Sequence, residues 1–144
     1  MREVLDDGSL PVKWLMLAAA LAVAAGAWLF VNPMRGFGVG FYGLAVYDMM
    51  PIPLADFQVR ADGTIKFVAR THDLKVDDLA WLTDEKPETL IIATGWKGRL
   101  APDPRIRAYL QNYDVRILPT GEAEALYNDL LGERRVAMHH HSGD

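Results

Sequence analysis

The run Trp14 to Val31, WLMLAAALAVAAGAWLFV, holds 18 consecutive residues without a charge, and it limits what this chain can be more than any other feature. As an α-helix it would be about 27 Å long, the thickness of a bilayer's hydrocarbon core. Lys13 closes it on one side and Asn32-Pro33-Met34-Arg35 on the other. Trp14 and Trp28 lie near its ends, where indole rings favour the membrane interface. A buried core helix is normally shorter than this. A cleavable signal peptide is the closer rival, because Ala25-Gly26-Ala27 offers an A-x-A site. Glu3, Asp6 and Asp7 make a poor positive n-region, however, so the segment reads as an uncleaved anchor over residues 14–32, after a tail of residues 1–13. Ala18, Ala22 and Gly26 repeat at four-residue spacing, and small residues on one face suit docking against another transmembrane helix. Arg2 and Lys13 before the span against Arg35 after it give a faint vote for a cytoplasmic N-terminus.

The charge is distributed unevenly. The chain's net charge is −4; Arg2, Lys13 and Arg35 balance Glu3, Asp6 and Asp7, so everything beyond residue 35 carries the excess. A mildly acidic domain lacks the electrostatic footprint of a nucleic-acid binder. There is no cysteine, so disulfides, thiolate nucleophiles and zinc–thiolate sites are excluded. Serine occurs only at Ser9 and Ser142, both in terminal segments, which leaves little inventory for nucleophilic catalysis.

Residues 33–55 read as an apolar juxtamembrane segment. Gly36 to Tyr47 (GFGVGFYGLAVY) has no charge, whereas a solvated linker would be polar. Its aromatic residues Phe37, Phe41, Tyr42 and Tyr47 are therefore candidates for contact with a partner or the membrane interface, with a first core strand as the alternative. The prolines of Met49 to Pro53 then interrupt regular structure.

An α/β domain is expected over residues 56–138. Phe57–Arg60 and Thr64–Val68 flank Ala61-Asp62-Gly63, a hairpin signal. Asp73–Leu82 suggests a short helix. Thr89–Thr94 (TLIIAT) is a continuous apolar run, as in a strand buried on both faces. Arg105–Tyr113 is a second helix and Val115–Leu118 another strand. Thr120 is placed to cap a third helix whose buried stripe is Ala123, Leu126, Tyr127, Leu130 and Leu131. Arg134–Met138 closes the domain. The order ββαβαβαβ argues for an α/β domain with a central sheet covered by helices.

The stretch TLIIATGWKGRL from Thr89, with LPTGEAEALYNDLLGERRVA from Leu118, resembles a small domain family that includes complex I assembly factor 3 of mitochondria and the adipogenesis-associated protein. Thr120-Gly121, Ala123, Tyr127-Asn128, Leu130-Leu131 and Arg135-Val136-Ala137 carry the likeness, which covers roughly residues 56–140. Ala93 and Pro119 stand where that family has glycine and aspartate, and an anchor is not typical of it. The resemblance implies a three-layer fold with a mixed sheet, partner binding, no established catalytic residue and a cytoplasmic setting for the domain.

Thr94 to Arg99 (TGWKGR) is the most site-like loop. Gly95, Lys97, Gly98 and Arg99 are candidate anion-binding residues, since a glycine-bearing loop after a buried strand can present amides and cations to an anion. It lacks the Gly-Lys-Ser/Thr ending of a phosphate-binding Walker loop. Trp96 is a candidate partner anchor. His139, His140 and His141, followed by Ser-Gly-Asp, read as a solvated tail over residues 139–144 with no metal role. His72 stands alone. The expectation is a non-enzymatic, single-pass accessory or assembly subunit of a respiratory or photosynthetic electron-transfer complex. Its partners would be integral membrane proteins and lipid, without cofactor, metal or catalytic residues, in the inner (cytoplasmic) membrane. The alternative is an anion-binding or enzymatic domain built on the Gly95–Arg99 loop.

Overall fold

The computed structural model describes residues 12–143. The chain divides into two compact units, one ending at Val31 and the other running from Asn32 to its end. In the first, helix α1 (Val12–Val31) is 20 residues long with no buried residue. It is long and apolar enough to cross a membrane. Ala18, Ala22 and Gly26 are exposed on it. Most of the tail expected over residues 1–13 lies outside the described residues.

The second unit is the α/β domain. Its elements are β1 (Leu44–Tyr47), β2 (Met50–Pro53), β3 (Asp56–Val59), β4 (Ile65–Val68), β5 (Asp73–Leu74), a 3-10 turn at Val76–Leu79, α2 (Ala80–Thr83), β6 (Thr89–Ala93), β7 (Ala101–Pro102), α3 (Arg105–Tyr109), β8 (Asp114–Leu118), α4 (Thr120–Leu130) and β9 (Val136–His140). The main sheet has the order β4-β3-β9-β6-β8. Strands β6, β8 and β9 are mutually parallel, joined by crossovers through α3 and α4. The hairpin β3–β4 extends the sheet antiparallel to β9.

Strand β6 is buried along its whole length, as its unbroken apolar sequence requires. Alternation then splits the core into two layers. Ile91, Ala93, Val136, Met138, Phe57 and Val59 pack on one face with Ala123 and Tyr127 of α4 and with Phe37, Tyr47 and Ile52. Leu90, Ile92 and Ala137 pack on the other with Leu74, Leu79, Leu82, Ile106 and Leu110. The molecule is therefore a mixed five-stranded sheet with helical cover on both faces.

Several boundaries differ from the sequence expectation. The juxtamembrane segment is part of the domain: Phe37 and Tyr47 are core residues at 2% exposure, and residues 44–53 form the β1–β2 hairpin. Glycines make this packing feasible, since a Cβ on Gly38 would sit 1.9 Å from Asn32 Oδ1. The Asp73–Leu82 segment forms a two-residue strand pairing with β7, then the 3-10 turn and the start of α2. Helix α3 stops at Tyr109, and Leu131 lies beyond α4 and is exposed. The closing strand runs two residues further than expected, so His139 and His140 belong to β9, and residues 139–142 are buried.

Candidate functional site

Register brings the site together. In the β3–β9 pair Phe57 faces His140 and Gln58 faces His139, and the same antiparallel register sets Asp56 opposite His141. Side chains alternate between faces, so Asp56, Gln58, His139 and His141 line one face of the sheet and His140 points to the other. The result is a buried polar ladder in an otherwise apolar interior.

Its first rung is an acid–imidazole pair. His141 Nδ1 donates to Asp56 Oδ2 at 2.6 Å with both side chains fully buried. Asp56 Oδ1 accepts from the amide of Ser142 at 2.9 Å and from its hydroxyl at 3.0 Å. Burial pushes the Asp56 carboxyl up, but the hydrogen bonds from His141 and Ser142 outweigh it and hold the group below its usual value of 3.8. The second rung is Gln58, whose Nε2 donates to Asp78 O at 2.7 Å and lies 3.3 Å from His139 Nδ1. Desolvation lowers the His139 imidazole to about 4, so the ring is neutral near pH 7. On the opposite face His140 Nε2 donates to Glu124 Oε1 at 2.9 Å, and its ring stacks on Phe57 and Phe37.

Thr120 locks this ladder to the carboxyl ends of the parallel strands. Its hydroxyl donates to His141 O at 2.8 Å and accepts from Gly95 N at 3.1 Å. It therefore braces the strand ends and does not cap α4, whose N-cap is Pro119 without a side-chain bond. Ser142, Asp56 and His141 have the composition of a hydrolytic triad but not its wiring. The serine hydroxyl bonds the carboxylate and not the imidazole, and a triad needs the reverse. Among the described residues no three His, Asp or Glu side chains gather as a metal set.

The loop singled out by sequence is largely self-satisfied. The amides of Gly95, Trp96, Gly98 and Leu100 donate to Thr120 Oγ1, Gly143 O, Gly95 O and Thr94 O. A backbone cradle for an anion is thus occupied by the protein's own acceptors, leaving Lys97 and Arg99 as exposed side chains. Lys97 Nζ sits 5.8 Å from the Tyr42 ring centroid. Of the aromatic candidates, Phe37 and Tyr47 are in the core, Trp96 is half-buried, and Phe41 and Tyr42 are exposed at 59% and 53%. Asn128 holds Phe37 through both backbone groups, accepting from Phe37 N at 2.8 Å and donating to Phe37 O at 2.7 Å. Sequence reasoning did not single out Asp56, Gln58, His139 or His141 as site residues. Their only local signal was the alternation of polar residues at Asp56 and Gln58.

A family model covers this architecture from β1 to β9. It is described as a protein of unknown function (DUF498/DUF598) and matches residues 44–140. The chain belongs to this family. The match includes Asp56, Gln58, His139 and His140 of the polar ladder. No curated protein matches the sequence. Several solved structures share the fold, three of them as follows. A conserved hypothetical protein from Pyrococcus horikoshii OT3 aligns with a TM-score of 0.68 at 23% identity, covering 75% of this chain and 98% of its own. The protein MT938 aligns at 0.64 with 28% identity over 76% and 98%. An outer membrane protein from Bartonella henselae aligns at 0.65 with 21% identity over 78% and 99%. All three are spanned almost end to end by about three quarters of this chain.

Proposed function

We propose that this DUF498/DUF598 member is a membrane-tethered, non-catalytic accessory or assembly subunit of a larger membrane protein complex. The observation that carries the reading is α1: its described residues bury nothing within the protein, while their apolar surface needs cover. Burying one large apolar side chain is worth about 1.5–3 kcal/mol, so the many on α1 together favour lipid over water. A secretory signal sequence satisfies the same length and composition, and the two outcomes are separated by reading the N-terminus of the mature chain.

Two features support a docking role. Val39, Phe41, Tyr42 and Leu54 remain exposed at 53–64%, on a stretch whose backbone is held by the core beneath it. Ala18, Ala22 and Gly26 give α1 a small-residue stripe of the kind that packs helices in lipid. The complex in question is an electron-transfer assembly of the inner (cytoplasmic) membrane, with the domain on the cytoplasmic side, as the resemblance to complex I assembly factor 3 implies. Purification of the intact chain in mild detergent tests the reading. Co-migration with a large assembly, weakened by Phe41→Ala with Tyr42→Ala, is expected; a stable solitary monomer contradicts it.

A further inference from the structure

A cavity of about 530 Å³ opens on the polar face of the sheet, beside the edge strand β4. That volume lies in the range of small-molecule sites. Gln58 and His139 line it, exposed at 0% and 2%, together with Val68, Leu74, Lys66 and Trp81. Each of the two buried side chains keeps one polar atom without a hydrogen-bond partner, Gln58 Oε1 and His139 Nε2. Buried polar groups in native proteins are nearly always paired, so two orphans beside one cavity call for an explanation.

The chemistry of these atoms follows from their neighbours. Asp78 O can only accept, so the Gln58 atom 2.7 Å from it is the amide nitrogen and Oε1 is the free acceptor. The second Gln58 proton is directed to His139 Nδ1 at 3.3 Å. The neutral imidazole then carries its proton on Nε2, which makes Nε2 a donor. The buried side of the cavity offers one donor and one acceptor, both uncharged. An ionic ligand would have to leave water for a neutral pair, which is costly. Lys66 lies across from Gln58 in register, and its ammonium stands 5.6 Å from the Trp81 ring centroid.

We infer that this cavity binds a small neutral ligand whose edge carries an acceptor beside a donor, as in a lactam or carboxamide. The acceptor of the ligand accepts a hydrogen bond from His139 Nε2–H, its N–H donates to Gln58 Oε1, and its apolar body lies against Val68 and Leu74. Both orphan atoms are buried, and Lys66 and Trp81, which line the same cavity at the sheet edge, would move aside as the ligand enters. The site is independent of how the chain is tethered.

The test uses the full chain in detergent micelles, with nitrogen-15 NMR of the His139 ring and the Trp81 indole. Titration with 2-pyridone should give saturable shifts at both. N-methyl-2-pyridone, which lacks the donor, should bind at least about tenfold more weakly, the scale of one lost hydrogen bond to a buried group. Gln58→Met should weaken 2-pyridone by a similar factor while leaving the Trp96 indole unmoved. If that variant fails to fold, the comparison of the two probes on the natural chain still decides. Equal response to both probes, no saturable shift at millimolar concentration, or a free His139 protonated on Nδ1 would overturn the assignment.

Discussion

Replacing Asp56 by alanine removes the acceptor on which the C-terminal edge of the ladder converges. Three buried donors lose their partner at once: His141 Nδ1 at 2.6 Å, Ser142 N at 2.9 Å and Ser142 Oγ at 3.0 Å. Each orphaned buried donor costs about 1–3 kcal/mol, but the three are coupled and do not add. Breaking a buried pair from one side costs about 3–5 kcal/mol, and that is the expected loss. Domains of this size have about 5–15 kcal/mol in total, so the melting temperature should fall by roughly 10–20 °C. Urea and thermal unfolding of the full chain in micelles, followed by near-ultraviolet dichroism, would measure it. Asp114→Ala is the control, because Asp114 pairs with Arg116 at 2.8 Å on the surface, where ion pairs contribute little; its loss should be within experimental scatter. If Asp56→Ala is no worse than Asp114→Ala, the ladder is not the structural element argued here. The pH dependence has a definite sign. The folded Asp56 carboxyl lies below 3.8, so its stabilisation is complete above that value and is lost as pH falls through the folded one.

Three further outcomes follow from other contacts. The His139 ring titrates near 4 in the fold against 6.5 when unfolded, so stability should drop by about 3 kcal/mol as pH falls between those values; in His139→Phe that slope should flatten in urea titrations across the same window. Thr120→Val keeps the shape but strands His141 O and Gly95 N, and should cost about 1–3 kcal/mol by the same unfolding assay. Gly38→Ala puts a methyl 1.9 Å from Asn32 Oδ1 and 2.9 Å from Asn32 Cα; a loss of about 1–3 kcal/mol is expected from overpacking, together with faster hydrogen exchange at Val39, whose amide donates to that Oδ1 at 3.1 Å.

The elements legible in the sequence were those whose pattern is local. Thr89–Ala93 announces a central strand because five consecutive positions are all buried. Asp62-Gly63 announces the β3–β4 turn because Gly63 takes a positive φ of 87° and the Asp62 carboxylate caps Thr64 N at 2.8 Å. Ala123 and Tyr127 announce the buried side of α4 at their four-residue spacing. The polar ladder was not legible. His139 to His141 resemble a solvated tail because imidazoles are polar, and their burial is stabilised by partners such as Asp56, 85 positions away. Residues 33–55 misled for the opposite reason. Their apolar composition was correctly seen to need cover, but the cover is the domain's own sheet and α4, reached through long-range contacts such as Asn128 with Phe37. The short β5 and the Val76–Leu79 turn follow from pairing with β7, which local periodicity does not encode.

Retention of α1 in the bilayer is the claim on which the accessory role depends. Alkaline carbonate extraction of membranes from cells making the full chain, followed by intact mass of the retained protein, tests it directly. The expected result is the uncleaved polypeptide, with Val12–Val31 still attached, in the membrane pellet. A shortened chain lacking that helix, recovered in the aqueous supernatant, would contradict it.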